Sequence, residues 1–243
     1  MIKEISSLDN KIIKYVNSLK DLKTSKKEKK FLIEGEHLLE MSFKHLDFVL
    51  TLKPLKIDES ITQYIVNEAI LRKISNNKSF SKVIGVVNYI DNDLTFENDL
   101  IYLDDVQDPG NVGTILRTSL AFNYKNILVS EKTASIYNLK TIQASQGAIF
   151  DLNIKKIDLD YLKELKNKGY KILVTTLSND SIFLDEFKGK SNEKLIIVLG
   201  NEGQGVSKEV IELSDYRIKI SISNIESLNV AIAGAITLYN LKK

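Results

Sequence analysis

The stretch Leu195-Ile196-Ile197-Val198-Leu199-Gly200-Asn201-Glu202-Gly203-Gln204-Gly205 decides the fold class. Five consecutive aliphatic residues run straight into a turn that holds three glycines in six positions. An unbroken aliphatic run of this length is the mark of a strand covered on both faces, as in a parallel sheet. The glycines behind it let backbone amides and carbonyls approach a ligand closely. The order is GxxGxG rather than GxGxxG, and the turn lies far from the first strand of its unit, so a dinucleotide fingerprint is excluded.

Outward from this strand, β and α patterns alternate. Strands are expected at 100–103, 126–129, 150–154, 171–176, 195–199 and 217–222, and helices at 112–122, 134–143, 159–168, 206–213 and 228–241. Such repetition argues a mostly parallel sheet covered by helices on both faces. Upstream, Ile12, Ile13, Tyr15, Val16 and Leu19 give an amphipathic helix over residues 9–20, followed by a lysine-rich connection, 23–30. Strands at 31–34, 46–52 and 82–90 and helices at 36–44 and about 60–74 complete a small α/β unit. The acidic, Asn-rich stretch 91–99 marks a boundary, giving domains 1–92 and 98–243.

The composition is that of a globular protein: 243 residues, 43% hydrophobic, 27% charged, net charge +2. The apolar runs 195–200 and 230–239 are far shorter than a membrane span, which needs about 20 residues. Lys3, Glu4 and Asp9 break the pattern of a secretory leader, so a cytoplasmic chain without membrane contact is expected. Without cysteine there are no disulfides, thiolate nucleophiles or Cys-held zinc or iron–sulfur clusters. Two histidines, His37 and His45, cannot build a metal site alone, and both read as structural; no metal is expected. Residues 1–30 hold nine lysines against Glu4, Asp9, Asp21 and Glu28, which reads first as a solvated helix face and second as an RNA-contacting arm. Of 34 basic residues only Arg72, Arg117 and Arg217 are arginine, which points to positions where a planar, permanently charged fork is needed.

In a parallel sheet of this kind ligands bind outside the carboxyl ends of the strands. Three loops there carry the chemistry. Asp104 to Gly113 leads into a helix bearing Arg117, with Asn111 expected at the N-cap. Gly200 to Gly205 follows the hydrophobic strand and includes Glu202. Ile220 to Val230 joins the last strand to the last helix, with Ser227 expected as its cap, and free amides there suit a phosphate or carboxylate.

These residues form motifs: NxGxxxR (Asn111, Gly113, Arg117), GNEGxG (Gly200 to Gly205) and ESLNVAxAxA (Glu226 to Ala235), in this order at successive strand ends. They resemble the three motifs of the SpoU or TrmH branch of the SPOUT RNA 2′-O-ribose methyltransferases, over the whole of residues 98–243. Ala144-Ser145-Gln146-Gly147-Ala148 resembles the family's serine-glycine-alanine segment, and Lys30 to Gly35 with the helix after it is similar to an L30e-like RNA-binding domain. Two departures stand out. Ser221 and Asn224 replace the usual proline and glycine of the last loop, and Lys82-Val83-Ile84-Gly85 replaces a proline-glutamine before the glycine.

The resemblance implies a C-terminal α/β domain tied in a deep trefoil knot that binds S-adenosylmethionine, and a methyl transfer to a ribose 2′-hydroxyl. It implies that Arg117 lies beside the RNA phosphate and acts on the hydroxyl, with Asn111, Glu202, Ser227 and Asn229 fixing the ribose and the arginine. Thr176, Gly200, Ile220 and Leu228 would bind the cofactor. It further implies a homodimer with a shared active site and an RNA substrate, ribosomal RNA rather than tRNA. The alternative is a non-catalytic RNA-binding protein that keeps the fold.

Overall fold

A computed structural model describes residues 1–75, 80–96, 98–178, 180–187 and 193–242. In chain order its first elements are β1 (Ile2–Ile5), α1 (Lys11–Ser18), α2 (Leu22–Glu28), β2 (Lys30–Glu34), α3 (Glu36–Ser42), β3 (Leu46–Thr51), β4 (Thr62–Val66), α4 (Glu68–Ile74) and β5 (Val83–Asn88). Then come β6 (Leu100–Leu103), α5 (Pro109–Ala121), β7 (Asn126–Val129), α6 (Leu139–Ser145), β8 (Asn153–Lys156), α7 (Leu159–Asn167) and β9 (Tyr170–Thr175). The last are β10 (Ile182–Phe183), β11 (Lys194–Leu199), α8 (Lys208–Leu213), β12 (Tyr216–Lys219) and α9 (Val230–Leu241).

Two compact units result: Met1–Ile90 with Tyr137–Phe150, and Asp91–Ile136 with Asp151–Lys243. The first is built on a mixed sheet of order β1-β4-β3-β5-β2, in which β5 runs antiparallel to β2 and β3. Leu32, Leu50, Ile84 and Val86 on one face pack with Val16, Ile70 and Ile74 of α1 and α4. Successive strand residues point to opposite faces, and Phe31 accordingly leaves that cluster. Its ring meets Tyr137 at 4.9 Å and Phe150 at 6.4 Å.

The Tyr137–Phe150 excursion is thus part of this unit's core. Tyr137 stacks on Tyr89 at 3.6 Å, and its hydroxyl accepts from the Ile90 amide (2.9 Å) and donates to the Ile90 carbonyl (3.0 Å). Past α6 the backbone turns left-handed at Gln146 and Gly147 (φ +89°), and a Cβ on Gly147 would lie 2.1 Å from the Met41 sulfur. Conformation and space both favour glycine there.

Several sequence expectations are corrected. The helix expected over about 60–74 is a strand, β4, followed by the shorter α4. The run Thr62-Gln63-Tyr64-Ile65-Val66 is rich in β-branched and aromatic residues, and the Asn67 side chain starts the helix by accepting from the Ile70 amide at 3.0 Å. The connection 23–30 contains α2, capped by Asp21, which accepts from the Thr24 amide at 3.0 Å. β1 and β10 add to the expected strands. The helix expected at 134–143 begins only after the Asn138 cap, and β8 starts after a 3-10 turn at Ala148–Asp151 rather than at residue 150.

Among the described residues the second unit holds seven strands, all parallel, in the order β10-β12-β9-β11-β6-β7-β8. Leu199 and Leu103, the last residues of β11 and β6, are paired in register, so the loops after them emerge side by side. Helix α9 packs against α5. At Gly234 the helix and sheet layers close tightly, for a Cβ would lie 2.7 Å from the Leu199 side chain.

Candidate active site

Helix α5 starts three residues earlier than the sequence indicates. Asp108 is the N-cap, accepting from the Asn111 amide at 3.0 Å, and Pro109 takes the first helical position, where its missing N–H costs nothing. Asn111 therefore lies in the first turn and its side chain can bridge to other loops. Its Nδ2 donates to Glu202 Oε1 at 2.9 Å, and its Oδ1 accepts from Asn229 Nδ2 at 3.0 Å. Asn229, not Ser227, caps α9; its Oδ1 accepts from the Ala231 (2.9 Å) and Ile232 (3.3 Å) amides. Glu202 closes the chain by accepting from the backbone amides of Gln107 (3.0 Å) and Asp108 (2.9 Å). One side-chain relay thus links all three strand-end loops.

Burial acts to raise the Glu202 carboxyl, but the Asn111 side chain and the two amides outweigh it and hold the group below its ordinary value. Glu202 is ionised and fully engaged, which makes it a fixed brace rather than an available base.

Beside this relay opens a cavity of about 400 Å³, within the range of small-molecule sites. Thr176, Gly200, Glu202, Ile220, Ser227 and Leu228 line it, with apolar walls from Ile218, Ile222 and Val230. Thr176 extends β9 by donating its amide to the Ile218 carbonyl at 2.9 Å. The glycine turn is drawn tight: Asn201 and Gly205 exchange both backbone hydrogen bonds at 2.9 Å, and Asn201 Oδ1 accepts from the Gly203 (2.9 Å) and Gln204 (3.0 Å) amides. A Cβ on Gly200 would stand 2.3 Å from the Gly205 carbonyl carbon, so no other residue fits. In the last loop Asn224 adopts φ +66°, a left-handed conformation that Asn tolerates better than most residues. Apolar walls for a heterocycle, hydroxyls for a ribose and a tight backbone cradle suit S-adenosylmethionine.

Arg117 is not drawn into this group. It is exposed on α5 and, among the described residues, its guanidinium has neither hydrogen bond nor ion pair. The other two arginines are engaged. Arg72 pairs with Glu68 at 3.3 Å and lies 4.3 Å over the Phe80 ring; Arg217 binds Asp180, the Ser214 hydroxyl (3.3 Å) and the Ile211 carbonyl (3.4 Å). Two bracing residues are not singled out by the sequence reading. Asn201 carries the signal of an Asx turn and Asp108 that of an Asp-Pro helix start.

The chain belongs to the SpoU rRNA methylase family, whose profile matches residues 99–239. Among its relatives is the 23S rRNA (guanosine(2553)-2′-O)-methyltransferase RlmP of Bacillus subtilis, 30% identical, the match covering 99% of this chain and 100% of that one. A TrmH-family protein from Porphyromonas gingivalis superposes with a TM-score of 0.86 at 28% identity, covering 97% of this chain and 98% of that one. The AdoMet-bound rRNA methyltransferase from Sinorhizobium meliloti shares the fold, with a TM-score of 0.89 at 24% identity over 98% of this chain and 97% of that one.

Proposed function

We propose that this protein methylates one ribose 2′-hydroxyl of ribosomal RNA, acting as a cytoplasmic homodimer with residues 1–92 as an L30e-like RNA-binding domain. Residues 98–243 are the methyltransferase domain, threaded as the family's trefoil knot. The activity class follows from family membership: an S-adenosylmethionine-dependent RNA 2′-O-ribose methyltransferase. The observation that carries the site assignment is the Glu202–Asn111–Asn229 relay beside a cavity lined by all the expected cofactor residues. Ribosomal RNA is favoured by the full-length similarity to RlmP.

The cofactor supplies an electrophilic sulfonium methyl. The chain's task is to orient the ribose and stabilise charge as the hydroxyl oxygen becomes the nucleophile. A guanidinium is already protonated at neutral pH and has no acceptor for a further proton, so Arg117 is suited instead to grip the adjoining phosphate with its fork. Asn111, Ser227 and Asn229 offer polar groups to the ribose. Glu202 holds Asn111 and the start of α5 in place. Dimerisation is supported by the exposed apolar side chains of α9, Ile232 at 51% and Tyr239 at 57% exposure, on the helix that packs against Arg117's own helix.

The test is methyl transfer from labelled cofactor to unmodified ribosomal RNA and to tRNA, followed by mapping of the modified ribose. Incorporation at one 2′-oxygen of ribosomal RNA is expected. Transfer to tRNA alone would move the substrate assignment, and cofactor binding without transfer to either would favour the non-catalytic reading.

A further inference from the structure

Asp104, the first residue beyond β6, is 4% exposed yet carries a carboxylate. Its amide donates to the Leu199 carbonyl at 2.9 Å, at the entrance of the glycine turn. Its Oδ2 accepts from the Ser207 amide at 2.7 Å, at the turn's exit. The neighbouring Asp105 carbonyl accepts from Asn201 Nδ2 at 2.9 Å, inside the turn. Ser207 opens α8, and its side chain caps none of that helix's amides. Glycine loses more backbone freedom on folding than any other residue, and here both ends of a turn with three glycines are held from one strand terminus. Glu202 reciprocates, reaching from this turn to the amides of Gln107 and Asp108. Each loop thus lends a carboxylate to the other's backbone.

We propose that Asp104 is a positioning residue for the cofactor: its buried carboxylate holds the exit of the Gly200–Val206 turn closed, so that the backbone cradle exists before the cofactor arrives. The proposal rests on the assignment of the cavity to S-adenosylmethionine. A carboxylate makes this bond charge-assisted and about twice as strong as a neutral acceptor would.

The energetics separate this role from a merely structural one. Burial raises the Asp104 carboxyl above its ordinary value, against the opposing bonds from Ser207. The titratable groups facing it, Asp105, Glu209 and Tyr102, bring no positive charge. A raised folded value means that the carboxylate form costs the fold stability, which is lost as pH rises through that value. A neutral isostere should therefore fold at least as well and bind cofactor worse.

The experiment is calorimetric titration of S-adenosylmethionine into the full chain, wild type against Asp104→Asn, with thermal melts of both. We expect the Asn variant to melt at or above the wild-type temperature in neutral buffer while its cofactor Kd rises about tenfold or more. Wild-type affinity should begin to weaken on acidification while the pH is still above the ordinary carboxylate range, and that limb should be missing from the variant. Ser207→Pro removes the same amide at a residue whose φ of −60° a proline accepts. Adding Asp104→Asn to it should weaken binding no further. Wild-type binding with unchanged affinity in Asp104→Asn, a loss that only tracks a lower melting temperature, or additive losses in the double variant would overturn the proposal. Absence of wild-type binding would instead overturn the cofactor assignment.

Discussion

Asn111 and Arg117 lie six residues apart on α5 and are in opposite situations. Asn111 has both ends of its amide fixed, by Glu202 and Asn229, before any ligand is present. Arg117 is exposed and, among the described residues, touches no acceptor. The first is a part of the scaffold that fixes three loops in one geometry; the second is a group whose partner comes from outside. A residue of the first kind transmits its loss through the loops. One of the second kind should affect only the step that its missing partner joins.

Arg117→Lys tests this contrast most severely. It keeps the charge but removes the fork, and loss of a preorganised charge-stabilising donor typically lowers the rate by about 10² to 10³. Methyl transfer should fall by that order while calorimetric cofactor affinity stays at the wild-type value; near-normal turnover would return Arg117 to a surface role. Gly200→Ala should do the reverse, because a Cβ 2.3 Å from the Gly205 backbone must open the cradle. Cofactor Kd should rise about tenfold to a hundredfold, a change of about 1.4 to 2.7 kcal/mol.

Glu202→Gln sharpens the contrast. Glutamine has one acceptor oxygen where the carboxylate serves two amides and Asn111. The rate should fall about tenfold, from loss of a bond worth about 1 kcal/mol and misplacement of Asn111. The Glu202 carboxyl is held low. Its contribution to stability is therefore present above the ordinary value of about 4.3 and is lost as pH falls through the lower folded value. An acid melt should show this limb in the wild type and not in the Gln variant. The smallest effect concerns Lys23, Lys26, Lys27 and Lys29, exposed on or beside α2, whereas Lys30 is bound to Asp47 at 2.6 Å. Their joint change to Gln should weaken RNA binding and flatten its salt dependence by about 0.7 to 0.9 for each phosphate no longer neutralised; an unchanged slope would mark them as a solvated face.

Sequence made the parallel sheet legible because its central strands β6, β7, β9 and β11 are largely buried and stand out as aliphatic runs. It made the three loops legible because glycine and arginine are rare elsewhere in the chain. What it hid were matters of competition between neighbouring signals. Asp108 and Asn111 are both good caps, and only the helix start at Pro109 tells which one is released to bridge. Ser227 and Asn229 pose the same ambiguity at α9. The segment Thr62–Val66 reads as the start of a helix because the true helix follows it within two residues. Nothing local to residues 137–150 indicates that their partners are Phe31, Met41 and Tyr89, since those pairings span from about fifty to about 120 residues of chain.

This last pairing has a consequence for biosynthesis. When residue 90 leaves the ribosome, the five strands of the first sheet are all available, but one face of β2 still lacks α6 and the rings of Tyr137 and Phe150. Some sixty further residues, among them β6 and β7 of the other sheet, must be translated first. The second sheet is therefore begun before the first is covered. Until then the nascent chain carries an uncovered apolar face, and the first unit has all its residues only at Phe150, when β9, β11, β12 and α9 of the second are still to come.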